Sequence, residues 1–310
     1  MMAGPLVTVV LPTFDRFEFL PFAVQSVFDQ TMRDWELVVA DDGSGREVRD
    51  YLSTLNDGAR VRTLFLPHSG NAGKARNAAI AVARAPYVAF LDSDDVWEPR
   101  KLERQLAVMR AEEGCDWSFT AVTFIDDAGK PLAVELNRRW TTYRGHVFDR
   151  VVRDPASVRT PSVVIATARL LRDVGGFDEA IDCGEDSDLW MRIALRSPAC
   201  IISESLARIR HHAGNREREV SPAFASRDYS LRKLTEGATG AQRAVLERAR
   251  SINAMRWAIE TASRGARWPS VAIVGKSLPF SWKFARWWYG SAKALIRACF
   301  PFSRARAQRS

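Results

Sequence analysis

Short apolar blocks of two different periods alternate along the first third of the chain. Val7 to Leu11 is a β-branched run closed by Pro12, which predicts a buried strand. Thr13-Phe14-Asp15-Arg16 follows as a loop. From about Glu18 to Gln30 the apolar positions Leu20, Ala23, Val24, Val27 and Phe28 fall on one helical face. Trp35 to Ala40 repeats the strand pattern and ends on Asp41-Asp42-Gly43-Ser44. A helix over Arg46–Leu55, a strand over Val61–Leu66, an Ala-rich helix over Asn71–Ala83, a strand over Tyr87–Leu91 and a helix over Glu98–Arg110 complete the alternation. Strand and helix alternating with short connections predict a parallel sheet with helices on both faces. Ligands of such sheets bind beyond the carboxyl ends of the strands. Thr13–Asp15, Asp41–Asp42 and Asp92–Asp95 each follow a different strand, so they should meet in one crevice.

The last of these stretches, Asp92-Ser93-Asp94-Asp95, is the most telling. Three carboxylates in four positions repel one another unless positive charge sits among them. Hard oxygen ligands at a strand end suit Mg²⁺ or Mn²⁺, and such an ion suits a diphosphate. An acidic turn before a helix is the plainer explanation, but three acidic strand ends on one edge argue against it. No G-x-G-x-x-G follows the first strand and no G-x-x-x-x-G-K-[ST] occurs, so a dinucleotide site and a P-loop are not expected. A diphosphate would then be held by metal and by cations. Lys74 and Arg76, in the first turn of a helix, are candidates, with a solvated helix face as the alternative.

Charge changes the picture at the other end. Net charge is +8, yet Thr261–Ser310 holds ten Lys/Arg and no acid, which leaves −2 for the first 260 residues. A near-neutral body does not suit nucleic acid; the basic tail suits an anionic surface. The four cysteines form no C-x-x-C pair and no signal peptide opens the chain, so reduced thiols in a cytoplasmic protein are expected. No apolar stretch reaches the roughly 20 residues of a membrane span.

Farther along, Trp117–Ile125 reads as a strand and Asp126-Asp127-Ala128-Gly129 as a turn. Residues 130–160 are irregular and contain Trp140, Tyr143 and His146, rings suited to stacking on a sugar or to packing in a core. Pro161–Ala166 reads as a strand. Gly175-Gly176 ends the helix begun at Thr167, and Glu185-Asp186-Ser187-Asp188-Leu189-Trp190 opens another whose dipole favours acids in its first turn. Asp188 and Arg192 have the spacing of an intrahelical pair. Ala223–Glu236 and Ala241–Ala262 read as helices. In Ser281–Phe300 the residues Trp282, Ala285, Trp288, Ala292, Leu295 and Cys299 recur at helical spacing beside Lys283, Arg286, Lys293 and Arg297. Such a helix suits the face of an anionic bilayer; the alternative is packing on the preceding domain.

Val-Val-Leu-Pro-Thr-Phe-Asp-Arg16, Gln25-Ser26-Val27 with Gln30-Thr31, Glu36-Leu-Val-Val-Ala-Asp-Asp-Gly-Ser44, Gly73-Lys-Ala-Arg-Asn77 and Asp92-Ser-Asp-Asp95 stand in an order that resembles the family 2 glycosyltransferases. The resemblance runs from about residue 5 to 215. It implies an α/β fold of GT-A type: a Rossmann-like, mostly parallel sheet flanked by helices. Residues 5–115 would be its nucleotide-sugar half and 116–220 its acceptor half, with 221–310 as a basic, Trp-rich helical extension. It implies a nucleotide-sugar donor, usually UDP-linked, Mn²⁺ or Mg²⁺, and a glycan or lipid-linked acceptor. Pro12 and Thr13 fall where the family contacts the base, with Asp15 beside them, and Asp42 falls where it meets the uracil. Asp92 and Asp94 form the D-x-D around Ser93 that touches ribose and metal, with Asp95 adjacent. Asp186 falls on the catalytic base, with Glu185 as runner-up. His212 matches a residue that commonly reaches the metal or diphosphate, His211 is its runner-up, and Arg208 and Arg210 are further phosphate candidates. Together these imply inverting sugar transfer in cell-surface polysaccharide, glycolipid or glycan synthesis by a protein peripheral to the inner face of the cell membrane. The rival classes are a sugar-phosphate nucleotidyltransferase, whose Gly-rich basic loop is missing after the first strand, and a non-catalytic sugar- or membrane-binding protein.

Overall fold

The four β-branched runs become four parallel strands. The computed structural model describes residues 4–132, 142–154, 156–212 and 220–299. In chain order these begin with β1 (Val7–Thr13), α1 (Leu20–Phe28), β2 (Trp35–Asp41), α2 (Arg46–Leu55), β3 (Val61–Phe65), α3 (Ala72–Ala81), β4 (Tyr87–Phe90), β5 (Val96–Trp97) and α4 (Lys101–Ala111). Then come β6 (Trp117–Ile125), β7 (Tyr143–Gly145), α5 (Phe148–Arg153), β8 (Val164–Thr167), α6 (Ala168–Asp173), α7 (Glu185–Arg196) and β9 (Ala199–Arg210). Helices α8 (Val220–Gly237), α9 (Gly240–Ser263), α10 (Arg267–Ser281) and α11 (Ala285–Cys299) close the chain.

The strand order is β3-β2-β1-β4-β8-β6-β9-β5, with β7 added to β9. β1 pairs parallel with both β2 and β4, and β2 with β3. β1 and β2 are buried along their whole length, as strands covered on both faces must be. β8 runs antiparallel between β4 and β6, which makes the sheet mixed. The register sets Thr13 against Asp41, and the Asp42 amide donates to the Thr13 carbonyl at 2.9 Å. The polar strand ends thus lie side by side on one edge.

Several expectations change. The helix expected from Glu98 begins at Lys101, because Val96–Trp97 pairs antiparallel with β9. The strand expected from Pro161 begins at Val164. Pro161–Val163 is a 3₁₀ turn whose Thr160 side chain accepts the Ser162 amide. β9, twelve residues long, was not expected, nor was α10, whose pattern Gly275 and Pro279 interrupt. The expectation of reduced thiols is corrected for one pair. Parallel pairing sets Ser118 against Cys200, and Cys115 and Cys200, 85 residues apart, are joined as a disulfide; Cys183 takes no part in a disulfide. Trp140 lies outside the described residues.

The chain divides into two compact units, Met1–Arg216 and Glu217–Ser310. In the first, Phe90, Trp117, Phe119, Phe177 and Trp190 form an aromatic core beneath the end of β4, with ring centroids 5.4–6.4 Å apart. In the second, α9 packs against α8, α10 and α11.

Candidate active site

The site begins where β4 stops. Leu91 still bonds to β1, its amide donating to the Val10 carbonyl at 3.0 Å, and the acidic stretch then leaves the sheet. The three carboxylates go three ways. Asp92 Oδ1 accepts from Arg76 Nη2 at 2.7 Å and Oδ2 from Thr160 Oγ1 at 3.0 Å. Asp94 Oδ2 lies 3.1 Å from His212 Nε2, and the His212 ring is buried against Phe19. Asp95, expected among the metal ligands, points into the fold. It accepts from Ser162 Oγ at 2.5 Å and from the Arg210 amide at 3.1 Å. Burial, and then the charges of Asp94 and Asp92, push its carboxyl well above the usual range.

Arg76 is neither a solvated surface group nor a free phosphate ligand. It is buried, and its two terminal nitrogens bind Asp92 at 2.7 Å and Glu185 at 2.9 Å. Its guanidinium also lies 5.2 Å from the Phe177 ring centroid. The pair on the other side is thereby fixed: Glu185 opens α7, and Asp186 follows it, buried, with Oδ1 accepting the Ser187 amide at 2.7 Å. Gly184 before them has φ +84°, the left-handed turn that lets α7 start there. Asp188 pairs with Arg192 inside the helix, 2.7 Å from Nε, as its spacing predicts.

Helix α3 holds the two sides together. Asn71 caps it by accepting the Lys74 amide and reaches the Ile181 carbonyl at 3.2 Å. Asn77 grips the Gly-Gly-Phe-Asp loop through the Phe177 amide and carbonyl, both at 2.9 Å. Lys74 is exposed on the same turn.

A cavity of about 310 Å³ lies over the strand ends, lined by Pro12, Thr13, Phe14, Asp42, Arg76, Asp92, Ser93 and Asp94 among others. Thr13 Oγ1 is buried in its wall without a hydrogen-bond partner among the described residues, a group that a ligand would satisfy. Asp42 shapes the floor: its carboxylate accepts from Ser69 N and Oγ and from Gly70 N, all at 2.8–2.9 Å. Phe14 and His68 stack with centroids 4.1 Å apart. Asp15 bridges to the loop after β2, accepting the Gly45 amide at 2.7 Å from a backbone held at φ +46°. Arg208 and Arg210 are not free for phosphate. Arg208 pairs with Glu98, and buried Arg210 binds the carbonyls of Asp94, Asp126 and Asp127. His211 is exposed beside Phe124.

Among the described residues no three His, Cys, Asp or Glu side chains form a ready-made cage for a metal. Asp94 and His212 do fit a divalent ion of the kind that takes one or two protein ligands and completes its shell with phosphate oxygens and water. Sequence reasoning missed Thr160, Ser162 and Phe14 with His68. Their only signals were a capping Thr-Pro-Ser and two rings far apart in the chain.

A mostly parallel sheet with a D-x-D at the end of one strand and a Glu-Asp helix start tied to it defines a glycosyltransferase of the GT-A class. The sequence pattern of glycosyl transferase family 2 matches residues 8–166, and the chain belongs to that family. Among its relatives is TuaG of Bacillus subtilis, provisionally named a teichuronic acid biosynthesis glycosyltransferase, 39% identical over 41% of this chain and 51% of TuaG. Another is the Escherichia coli UDP-Glc:α-D-GlcNAc-diphosphoundecaprenol β-1,3-glucosyltransferase WfgD, 36% identical over 34% of this chain and 41% of WfgD. The chain thus spans about half the length, or less, of these two relatives. The fold is that of S. aureus TarS 1–349 in complex with UDP-GlcNAc, with a TM-score of 0.74 over 94% of this chain and 89% of that one at 16% identity.

Proposed function

We propose that this protein transfers a hexosyl or N-acetylhexosaminyl group from a UDP-linked sugar to a hydroxyl of a glycan or lipid-linked acceptor, with inversion at the anomeric carbon. The observation that carries this reading is Arg76, which lines the cavity and ties Asp92 of the donor motif to Glu185 beside Asp186, so that the start of α7 is fastened to the cavity wall. The unpartnered Thr13 hydroxyl and the Phe14–His68 stack support a base-and-ribose pocket at the strand ends. The WfgD donor and acceptor, the polymer named for TuaG and the UDP-GlcNAc held by TarS support the chemical classes.

In this reading Asp186 takes the proton from the acceptor hydroxyl as that oxygen attacks the anomeric carbon. The bond to the diphosphate breaks on the opposite face. No enzyme nucleophile intervenes, so an α-linked donor gives a β-glycoside. Asp94 and His212 would hold a divalent ion, which when bound supplies positive charge for the leaving diphosphate. Arg76 and Thr160 keep Asp92 aimed at the cavity, and Lys74, exposed in the first turn of α3, is the candidate cation for the diphosphate. A lipid-linked acceptor places the reaction at a membrane surface, consistent with a cytoplasmic protein attached peripherally.

The test is Asp186→Asn assayed against a panel of UDP-sugars. Transfer should fall by about 10²–10⁴-fold while donor binding stays within a few-fold of wild type. Full transfer activity in this variant would remove Asp186 from the mechanism. Binding of no UDP-sugar by the wild type would remove the donor assignment.

A further inference from the structure

The C-terminal helices divide small residues from large ones. The side of that helix buried against α9 is made of Trp287, Gly290, Ser291 and Ala294. Gly290 is there because a Cβ would run into Met255 of α9. Trp282, Ala285, Trp288 and Ala292 of the stripe read from the sequence are turned outward, as a bilayer-facing side requires, joined by Tyr289 and Ile296. α10 does the same. Ser270, Ser277 and Ser281 face inward; Ser270 Oγ donates to the Ala258 carbonyl, and Ser277 Oγ accepts from Trp287 Nε1, both at 2.9 Å. Trp268, Val271, Leu278 and Trp282 then recur outward at spacings of three and four, with Gly275 completing the row. Trp268 is 82% exposed and Tyr289 77%.

We propose that α10 and α11 together form a docking face that lies in the plane of an anionic bilayer, with Trp268, Leu278, Trp282, Trp288, Tyr289 and Ile296 entering the headgroup boundary. Small residues hold the two helices to each other and to α9, which frees the large ones for lipid. Lys276, Lys283, Arg286 and Lys293 are exposed beside the apolar rows. No acid occurs between Glu260 and Ser310, against ten Lys/Arg. That charge is complementary to an anionic leaflet and opposes a second copy of the same face, which would set cations against cations. Trp and Tyr suit the boundary because one end of each ring system is apolar and the other hydrogen-bonds. Among the described residues no helix is long and apolar enough to cross a membrane, so the contact is lateral. This inference stands independently of the donor and acceptor assigned above.

The experiment is vesicle flotation of the full chain with phosphatidylglycerol/phosphatidylcholine or pure phosphatidylcholine liposomes, read with tryptophan fluorescence. Wild type should float with the anionic vesicles and shift its emission to the blue. Raising ionic strength from about 0.1 to about 0.5 M should weaken the binding. Trp268→Ala/Trp282→Ala/Tyr289→Ala and, separately, Lys276→Glu/Arg286→Glu/Lys293→Glu should each lose at least tenfold in affinity; all six positions are exposed, so circular dichroism should match wild type. Undiminished binding by the aromatic variant would overturn the proposal, as would equal wild-type binding to both vesicle types. So would a wild type that ignores vesicles and sediments as a dimer that the aromatic variant dissociates.

Discussion

Arg76→Met tests the join on which the site rests. The guanidinium is 5% exposed and is shared by Asp92, 24% exposed, and Glu185, 15% exposed. Methionine fills similar volume and removes only the charge and the forked donors. Two largely desolvated carboxylates are then left without their shared cation, with Asp186 close by. Removing one partner of a buried pair costs about 3–5 kcal/mol, because the remaining charge is stranded. For a unit of this size each kcal/mol lowers Tm by about 2–4 °C, so the variant should melt roughly 6–20 °C below wild type. Arg76→Lys should fall between the two, since one ammonium cannot bridge both acids with the same geometry. The control is Arg46→Met, which breaks an exposed i,i+4 pair with Asp50 and should leave the melting curve where it was. Scanning calorimetry at neutral pH reads all three. If Arg76→Met melts within the scatter of Arg46→Met, Asp92 and Glu185 are not held by Arg76, and the link between the two halves of the site falls with it.

Asp94→Ala should abolish the Mn²⁺-dependent part of UDP affinity measured by calorimetric titration; a variant that keeps the wild-type affinity both with and without Mn²⁺ would remove Asp94 and its His212 pairing from the metal site. Glu36 is buried, and burial pushes its pKa up, but hydrogen bonds from Thr8 and Arg84 and the charge of Arg62 hold it below the usual value. The stability it adds is therefore full above its unfolded value, at roughly pH 5 and higher, and is lost as pH falls through the folded pKa. Glu36→Gln should cost about 3 kcal/mol in urea unfolding at pH 7 and progressively less in acid. Lys101 is fully buried, 4.2 Å from the Trp97 ring centroid, with no hydrogen-bond partner for Nζ among the described residues, and burial holds its pKa well below the usual lysine value. The unfolded chain then binds the extra proton, so wild-type stability rises with pH up to about 10.4. Lys101→Met should stabilise by about 1–3 kcal/mol at neutral pH, with a margin that narrows as pH rises; a margin independent of pH would show that Lys101 stays charged in the fold.

What could be read from the chain was local. Val7–Leu11, Trp35–Ala40 and Tyr87–Leu91 announce buried strands by composition, and the parallel order of β1 to β4 follows from the helices between them. The Asp188–Arg192 pair follows from spacing alone. What escaped depends on partners far away in sequence. Val96–Trp97 is a strand only because β9 lies beside it, and Thr160 and Ser162 matter only because the sheet brings them under residues about 70 positions earlier. Lys101 looks like a solvated residue at a helix start and is buried by tertiary packing.

The acidic stretch shows why that distinction matters for chemistry. Read as sequence, Asp92, Asp94 and Asp95 are interchangeable ligands whose mutual repulsion needs a cation. The fold supplies more than one. Arg76 neutralises Asp92, His212 stands beside Asp94, and Arg210 meets the same loop with its Nε on the Asp94 carbonyl and its amide on Asp95. Each carboxylate thereby acquires a different task. Asp95, shut away from solvent, fastens the loop to Ser162 and β9. Asp92 is tethered to the start of α7 through Arg76. Asp94 keeps a side that is open to the cavity and one histidine partner. Three carboxylates within four positions are tolerable because Arg76 neutralises Asp92 and burial favours the uncharged form of Asp95, which leaves Asp94 as the carboxylate open to a divalent ion shared with a diphosphate.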